Sequence, residues 1–390
     1  MEKPLFIILA GGIGKRFYPF ETDKTLFPFC GKSIIEHLIF QLESAGVQKA
    51  LVVTNPTNHE IIQKLNTKID LSCHMLHKPT GMGDAVLSVK NQISNQPCVI
   101  INAVDLFEPS LFKSLLSQVS DTPLLVGKEI QNYFPGGYLV TKGKTVTSII
   151  EKPAPGTEPS NVINLVVHYF PEPKIFIDEL EKIQSDRDDT YEQALLQLMN
   201  KKTVGFIPYS GSWVSLKYGY HVLDTMQFFL SQTSPFCSKT AQIHPSAHIS
   251  GNVYIDEDAE VQEGAVIKGP TYIGKGVKVG PLCFVRQSIV EEKAVIGFGS
   301  EVARSYVGPR CMLHHNFIGD SVLEAEVNPS WGTCTANLRI DKKRVRIKLK
   351  DGSWHDTNRE KLGSLMGKGT FLKINSSLMP GTILSEKSQL

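Results

Sequence analysis

Isoleucine or valine falls on every sixth position between residues 243 and 285, and this spacing constrains the fold more than any other feature of the chain. The positions are Ile243, Ile249, Ile255, Val261, Ile267, Ile273, Val279 and Val285. A helix repeats its apolar residues every three or four positions and an ordinary strand every two, so neither element fits. A six-residue period is typical of a parallel β-helix, in which each coil stacks its apolar side chains on those of the next. Short antiparallel strands with coincidental spacing are the alternative.

The residues between the apolar positions agree with a coiled strand. Gly269-Pro270 and Gly280-Pro281 turn the chain, as the corners of a coil require. The repeat becomes irregular after Val285. Rods of this kind usually serve as surfaces for acyl transfer or as scaffolds, so one of these roles is predicted for the C-terminal part.

Length, composition and charge indicate a soluble protein of two or three domains. The chain has 390 residues, of which 41% are hydrophobic and 21% charged. Its seven cysteines are odd in number and form no C-x-x-C pair, which predicts reduced thiols in the cytosol. No apolar run is long enough to span a membrane. The start of the chain is predicted to be a buried strand and not a signal peptide.

The net charge of +2 favours no nucleic-acid partner. Basic residues do alternate with apolar ones between residues 340 and 350, where Arg344, Arg346 and Lys348 face away from Val345 and Ile347. A single alternating strand predicts a solvated face or a contact with the phosphates of coenzyme A, and not a nucleic-acid surface.

Strand and helix signals alternate from residue 1 to about residue 230. Residues 5–10, 51–54 and 98–102 are short apolar runs, and Ser33 with Glu36 forms a capping box for a helix that Gly46 ends. Helices are also predicted around 59–66, 84–93 and 218–230, and a hairpin at 138–150. This alternation predicts a layered α/β domain with a mainly parallel sheet. The predicted limits are 1–230 for this domain, 231–241 for a polar linker and 242–390 for the β-helix.

A glycine loop follows the first predicted strand, and ligands of such sheets bind at the carboxyl ends of strands. Leu9, Ala10, Gly11, Gly12 and Gly14 offer backbone amides that phosphates can approach closely. Arg16 and Lys24 supply positive charge for an α-phosphate and a leaving pyrophosphate. A glycine cluster alone also fits a dinucleotide loop or a plain tight turn.

The order of the motifs favours a phosphate-binding loop. The run LAGGIGKRF, then Lys24, then GKSIIEHLI resembles the signature of the sugar-1-phosphate nucleotidylyltransferases. The resemblance covers the N-terminal domain and implies a Rossmann-like fold that joins a nucleoside triphosphate to a sugar-1-phosphate. It implies base contact by Gly81, Mg²⁺ binding by Asp105 and sugar contacts by Gly137, Glu151 and Asn164. Taken without the resemblance, Asp105 also fits a strand-end cap.

Departures from the family pattern occur at the same sites. The W-x-D-x-G element reads Trp213-Val214-Ser215-Leu216-Lys217, so a serine stands where a second metal-binding aspartate is expected. Serine is a poorer Mg²⁺ ligand than a carboxylate. Val166 and Met82 replace a glycine and a threonine that are common in the family.

A second group of residues lies where the six-residue repeat loosens. The segment from His314 to Asp320 and the run Thr335-Ala336-Asn337 resemble the left-handed β-helix domain of the bifunctional N-acetylglucosamine-1-phosphate uridylyltransferase/glucosamine-1-phosphate acetyltransferases. The resemblance implies that His314 is a general base and that the acyl acceptor is bound by Arg286, Arg304, Asn328, Asn337 and Lys343. Histidine suits deprotonation of an amine near neutral pH, although an isolated histidine is more often structural. Trp331 adds bulk where the family has a small residue.

Together these features predict an α/β Rossmann-like nucleotidyltransferase domain followed by a left-handed parallel β-helix. The predicted enzyme uses Mg²⁺ and acetyl-CoA, with UTP and N-acetylglucosamine-1-phosphate as the expected substrates. It is predicted to be a cytoplasmic homotrimer without nucleic-acid or membrane partners. The alternatives are a chain with one active domain, most plausibly the acetyltransferase, or a regulatory protein that only binds sugar nucleotides.

Overall fold

The computed structural model describes residues 3–78, 80–185 and 189–390. The chain divides into two compact units that interleave in the sequence. The first unit comprises Met1–Ile13 and Ile35–Trp213, and the second comprises Gly14–Ile34 and Val214–Leu390. The second unit thus takes a segment from the N-terminal sequence. The predicted domain limits are 1–230, 231–241 and 242–390, and they assign Gly14–Ile34 to the first domain. These limits remain a prediction.

The elements before residue 233 alternate between strands and helices, as predicted. The strands are β1 Leu5–Leu9, β2 Pro28–Phe29, β3 Lys32–Ser33, β4 Lys49–Thr54, β5 Asp70–Met75, β6 Cys98–Asn102, β7 Asp105–Phe107, β8 Leu124–Glu129, β9 Gly137–Lys142, β10 Thr145–Glu151, β11 Val162–Phe170, β12 Val204–Pro208 and β13 Trp213–Ser215. The α-helices are α1 Ile34–Ser44, α2 His59–Gln63, α3 Met82–Leu87, α4 Lys90–Ile93, α5 Ser110–Leu116, α6 Pro173–Leu180, α7 Thr190–Lys201 and α8 His221–Gln232. Single 3₁₀ turns lie at Lys15–Phe17 and Lys24–Leu26.

A nine-stranded sheet forms the centre of the first unit, in the order β5-β4-β1-β6-β11-β8-β12-β10-β9. The strands β5, β4, β1 and β6 run parallel to one another, whereas β11 runs antiparallel to β6 and β8. The prediction of a mainly parallel sheet is therefore correct for the half from β5 to β6, whereas the other half is mostly antiparallel and keeps one parallel pair, β8 with β12. A buried strand reads as an apolar run in either orientation, so the sequence pattern does not distinguish the two cases.

Local signals placed several elements correctly. The helix α1 begins directly after Ser33 and ends at Ser44, and Gly46 then takes a positive φ of 84°. The strands β9 and β10 form the predicted hairpin. The single helix expected at 84–93 is instead the two short helices α3 and α4. There the Ser88 hydroxyl donates to the Ala85 carbonyl at 2.7 Å, a local bond that competes with continued helix.

The second unit contains a parallel β-helix with three faces. Its first face is formed by Phe236–Cys237, Val253–Ile255, Thr271–Ile273, Ile289–Val290, Tyr306–Val307, Val322–Leu323, Leu365–Met366 and Ile383–Leu384. Its second face is formed by Gln242–Ile243, Glu260–Val261, Lys278–Val279, Val295–Ile296 and Met312–Leu313, and Asn328–Pro329 pairs with Phe371–Leu372 beyond them. Its third face is formed by His248–Ser250, Val266–Lys268, Phe284–Arg286, Glu301–Ala303, Phe317–Gly319, Cys334–Thr335 and Ser377–Leu378. The pairings between coils are parallel, which excludes the antiparallel alternative.

The irregular spacing after Val285 reflects shorter coils and not the end of the β-helix. Val253 pairs with Thr271 on the next coil, and the interval between paired residues then shortens, first where Tyr272 pairs with Ile289 and again where Glu301 pairs with Phe317. Each shortening removes one residue from a coil, while the strands of successive coils remain paired. Buried aliphatic side chains therefore remain aligned along the axis.

One coil carries an insertion. Val322 pairs with Leu365, so the chain makes a long excursion before it returns to the first face. The strands Val345–Lys348 and Trp354–Arg359 pair there as an antiparallel hairpin. Val345 and Ile347 are buried, and the alternating Arg344, Arg346 and Lys348 are exposed, as the alternation predicted. Within the described ranges, no helix has the length and apolar character that a membrane crossing requires.

Candidate functional site

Two buried asparagines donate hydrogen bonds to backbone carbonyls in the first half of the glycine loop. The side-chain amide of Asn58 donates to the Ala10 carbonyl at 2.9 Å, and that of Asn55 donates to the Gly12 carbonyl at 3.4 Å. A Cβ atom built on Gly12 would meet no atom of the chain within 4 Å. Packing within the protein therefore does not require a glycine at this position, and the space beside its backbone is open.

Asp105 lies at the same edge of the sheet as this loop. The last residue of β1, Leu9, pairs with Asn102 at the end of the parallel strand β6, and β7 begins with Asp105. The Asp105 side chain is buried, and its Oδ2 accepts a hydrogen bond from the Asn102 amide at 3.2 Å. A carboxylate at the carboxyl end of a central parallel strand, next to a glycine loop, is placed where such sheets bind ligands.

The three predicted sugar-contacting residues lie on adjoining strands. Gly137 on β9 pairs directly with Glu151 on β10, and Asn164 lies on β11, which also pairs with β9. A Cβ atom on Gly137 would lie 3.0 Å from the Glu151 Oε2. The glycine thus leaves room for the carboxylate. The predicted base-contacting residue, Gly81, precedes α3 with extended backbone.

A buried histidine holds Asn164. The His168 Nε2 lies 2.9 Å from the Asn164 Oδ1, and its Nδ1 lies 2.8 Å from the Tyr191 hydroxyl. Burial lowers the pKa of His168 to about 3, so the ring is neutral. A neutral ring with its proton on Nε2 donates to Asn164 and accepts from Tyr191. The Asn164 amide nitrogen is then directed away from this chain of hydrogen bonds.

The predicted catalytic cations belong to the second unit. Gly14 has a φ of 63°, and a Cβ atom there would lie 3.2 Å from the Lys24 Cε. Both the left-handed backbone and the proximity of Lys24 require glycine. The Lys24 ammonium donates to the Leu216 carbonyl at 3.4 Å, and Arg16 is exposed.

Ser215, at the position of the expected second aspartate, is buried at the end of β13, and the chain then turns towards α8. The His221 Nδ1 lies 3.0 Å from the Ser215 carbonyl oxygen and 3.2 Å from the Lys217 amide. Burial lowers the pKa of His221 to about 4. Across the described ranges, no group of three or more His, Cys, Asp or Glu side chains is arranged to hold a metal ion.

At the β-helix, part of the predicted acceptor site converges on a carboxylate that the sequence analysis left without a role. Asp320 receives two hydrogen bonds from the Arg304 guanidinium, at 2.8 and 2.6 Å, and one from the Asn337 amide. These residues lie at the corner that follows the third face. Arg286 lies at the end of the same face, where its guanidinium contacts the Glu301 carboxylate at 3.0 Å.

The other predicted acceptor residues lie elsewhere on the chain. His314 lies at the corner between the second and third faces, Asn328 lies on the second face, and Lys343 lies on the exposed insertion. A third-face strand of three residues, roughly 10 Å long, separates the corner of His314 from that of Arg304. A single chain therefore does not gather these residues into one site.

The His314 corner is lined by exposed apolar side chains. The His315 ring stacks on Trp331 with centroids 5.4 Å apart, and Phe298 stacks on its other side at 6.1 Å. Leu282 and Ile374 extend this line to further coils and are also exposed. Trp331 therefore packs in a surface ladder and does not fill an enclosed pocket.

Sequence reasoning missed four residues with clear roles in these sites: Asn55, Asn58, His168 and Asp320. The N-x-x-N pattern directly after the apolar run of β4 was the available signal for the first two. Asp320 stood inside a recognised motif. Nothing in the local sequence marks His168, because its partners Asn164 and Tyr191 meet it only in the folded unit.

Comparison with protein families gives two matches. The nucleotidyl transferase family matches residues 5–214, and the GMPPB C-terminal domain matches residues 236–345. These ranges contain the glycine loop with Asp105 and most of the β-helix.

Relatives and solved structures agree with this division. A bifunctional sugar-1-phosphate nucleotidylyltransferase/acetyltransferase of Sulfurisphaera tokodaii is 32% identical over 382 residues, which is 96% of this chain and 92% of the relative. The bifunctional protein GlmU of Methanocaldococcus jannaschii is 28% identical over 96% of this chain and 90% of its own length. A UDP-glucose pyrophosphorylase crystallised with UDP-glucose superposes with a TM-score of 0.53 at 18% identity, over 59% of this chain and 99% of the other.

Proposed function

The chain belongs to the nucleotidyl transferase family, and we propose that it works as a bifunctional sugar-1-phosphate nucleotidylyltransferase and acetyltransferase. In the first reaction, a phosphate oxygen of the sugar-1-phosphate attacks the α-phosphorus of a nucleoside triphosphate. The bond to the β-phosphate oxygen breaks, and pyrophosphate leaves with its electron pair. The proposed substrates are UTP and N-acetylglucosamine-1-phosphate.

The observation that carries the first reaction is the pairing of β1 with β6, which brings the glycine loop and Asp105 to one edge of the sheet. The loop amides would bind phosphate oxygens, and Arg16 and Lys24 would neutralise the charge that develops on the leaving pyrophosphate. Glu151 would bind the sugar through its carboxylate, and Asn164 would bind it through its amide nitrogen. Gly137 would leave room beside the Glu151 carboxylate.

Asp105 fits a Mg²⁺ ion that enters with the nucleotide. Protein Mg²⁺ sites in nucleotide enzymes commonly use one or two carboxylates together with substrate phosphates and water. Asp105 would supply the carboxylate, because Ser215 offers only a hydroxyl. When bound, the ion would stabilise negative charge on the phosphates.

The test of the first reaction is pyrophosphate release with Mg²⁺, each nucleoside triphosphate and a panel of sugar-1-phosphates. Asp105→Asn should lower this release at least 100-fold while acetyl transfer stays intact, because only the first reaction needs the carboxylate. Asp70→Asn, which changes an exposed residue of β5, is the matched control. Loss of both activities in Asp105→Asn, or of neither, would contradict the assignment of two separate sites.

The second reaction would transfer an acetyl group from acetyl-CoA to an amino-sugar phosphate. His314 would take a proton from the amine as its nitrogen attacks the thioester carbonyl carbon, and the C–S bond would break to release coenzyme A. The phosphate of the acceptor would be held by Arg286 and Arg304. Asn328, Asn337 and Lys343 would complete the site.

We propose that a neighbouring copy of the chain completes this second site. The His314 corner and the Arg304–Asp320–Asn337 corner are a whole face apart in one chain, and the exposed line of Leu282, Phe298, Trp331 and Ile374 runs along the His314 corner. In a cyclic trimer, each such corner would meet the next subunit.

The seven free thiols further support a place in the reducing cytoplasm.

A further inference from the structure

The segment Gly14–Ile34 is part of the second unit, although it continues directly from the glycine loop. It carries Gly14, Arg16 and Lys24. Within that unit it contacts successive coils on the first face of the β-helix. The contacts involve two buried carboxylates that neither proposed reaction uses.

Glu324 follows the first-face strand Val322–Leu323 and is 2% exposed. Its Oε1 accepts hydrogen bonds from the Thr22 amide at 3.0 Å and from the Thr22 hydroxyl at 2.6 Å. Its Oε2 accepts a bond from the Lys368 amide at 2.8 Å, on the next coil. One carboxylate thus joins the segment to the stack, close in sequence to Lys24.

Glu291 follows the first-face strand Ile289–Val290 and is 1% exposed. Its two oxygens accept bonds from the Cys30 amide at 2.8 Å and the Gly31 amide at 3.1 Å. Those residues form the tight turn between β2 and β3, with φ values of 51° and 77°. Glu291 therefore fixes the far end of the segment at a turn of defined shape.

Tyr306 binds the segment between the two carboxylates. This tyrosine is fully buried, and its hydroxyl donates to the Pro28 carbonyl at 2.9 Å. Its ring packs against Phe27 and Phe29, with centroids 5.2 and 5.4 Å away. The segment is thus fixed at three places along the β-helix.

A buried carboxylate is costly unless its oxygens are bonded. Except for the Lys368 amide, the donors to Glu291 and Glu324 named above come from the segment that carries the cations. We infer that Glu291 and Glu324 are positioning residues for nucleotidyl transfer, which hold Arg16 and Lys24 in place from the β-helix. The inference rests on the proposed function of those two cations.

The kinetic test uses Glu324→Gln and Glu291→Gln in the full chain. Either orientation of a glutamine amide places its NH₂ group against a backbone N–H donor, so each variant loses one hydrogen bond. Pyrophosphate release should therefore fall roughly 10-fold or more when it is measured above pH 7, where the Glu291 carboxyl is ionised. Acetyl transfer should be unchanged. Glu326→Gln is the matched control, since this residue is exposed and its carboxylate pairs with Arg310 instead of the segment.

A double-mutant cycle separates positioning from general stability. In a Lys24→Ala background, Glu324→Gln should cost much less than in the wild type, because the group it positions is gone. Equal costs in both backgrounds would overturn the inference. So would full activity in both glutamine variants.

Hydrogen exchange tests the anchoring without any activity. Exchange at the Thr22 amide should accelerate roughly 10-fold in Glu324→Ala, and exchange at the Cys30 and Gly31 amides in Glu291→Ala, because alanine removes the acceptor from each of these amides. Unchanged exchange would overturn the anchoring itself. If exchange is faster in the variants but the wild type releases no pyrophosphate, the anchoring is supported and the proposed function is contradicted.

Discussion

At the scale of single residues, Glu291 couples folding to pH. Burial, with the nearby carboxylates of Glu292 and Asp256, raises the pKa of Glu291 from 4.5 to about 7, although the Gly31 and Cys30 amides lower it. The folded chain therefore binds this proton more tightly than the unfolded chain. The contribution of Glu291 to stability is fully present below about pH 4.5 and declines as the pH rises to about 7.

This coupling predicts that Glu291→Gln flattens the pH dependence of stability. Between pH 5 and 7, the free energy of unfolding of the β-helix should decrease by about 2–3 kcal/mol more in the wild type than in the variant. Chemical denaturation at several pH values measures the difference, with Glu326→Gln as the control. Parallel curves for wild type and Glu291→Gln would show that the carboxyl has an ordinary pKa.

His168 provides a second prediction for a single side chain. His168→Phe removes the hydrogen bond that orients Asn164, so the KM for the sugar-1-phosphate should rise about 10-fold through loss of one buried hydrogen bond. The KM for the nucleoside triphosphate should change little. Steady-state kinetics measure both constants. Tyr169→Phe is the control, because its hydroxyl bonds to the Ser120 carbonyl instead, and an equal rise in both KM values would indicate general damage to the unit.

At the scale of elements, the sequence predicted what depends on local patterns. The capping-box pattern of Ser33 and Glu36 predicted the start of α1, a continuous apolar run predicted β1, and the six-residue repeat predicted the β-helix. The direction of β11 was not predictable, because its neighbours are chosen by contacts far along the chain. The coils after Val285 were missed as a regular stack because a corner that loses one residue shifts the sequence period without disturbing the pairing.

The corner between the second and third faces is the element that tests the acetyl-transfer proposal. His314→Ala should lower kcat by about 10²–10⁴-fold with a modest change in KM, since a general base acts in the transition state. His315→Ala should cost far less, because its ring stacks between Phe298 and Trp331. Thiol release with glucosamine-1-phosphate and other amino-sugar phosphates is the assay. Equal losses would place the base elsewhere.

At the scale of the whole molecule, the sequence predicted the family and the fold class, and each proposed reaction has candidate residues. The second site could not be completed from the sequence, since motif residues that adjoin in the chain lie at different corners of the coil. Only the folded faces show that His314 and Arg304 are apart within one subunit.

This separation predicts that acetyl transfer requires assembly. Sedimentation at micromolar concentration should give a trimer or a multiple of it. A charged substitution on the exposed line, Phe298→Glu, should dissociate the trimer and abolish acetyl transfer, because it places charge in an apolar contact. Ile340→Glu, at an exposed residue of the insertion, is the control. A monomer with full acetyl transfer would contradict the shared site.

The anchoring of Thr22 by Glu324 also affects how the protein is made. The two residues are 302 positions apart, so a ribosome that adds about 5–20 residues per second completes the anchor roughly 15–60 s after Thr22 is synthesised. For most of that interval, Phe27 and Phe29 lack the Tyr306 ring of the β-helix, against which they pack in the folded unit. The nascent chain therefore carries an aromatic segment that chaperones can recognise, and the cations of the first reaction are anchored only after the coil of Glu324 has formed.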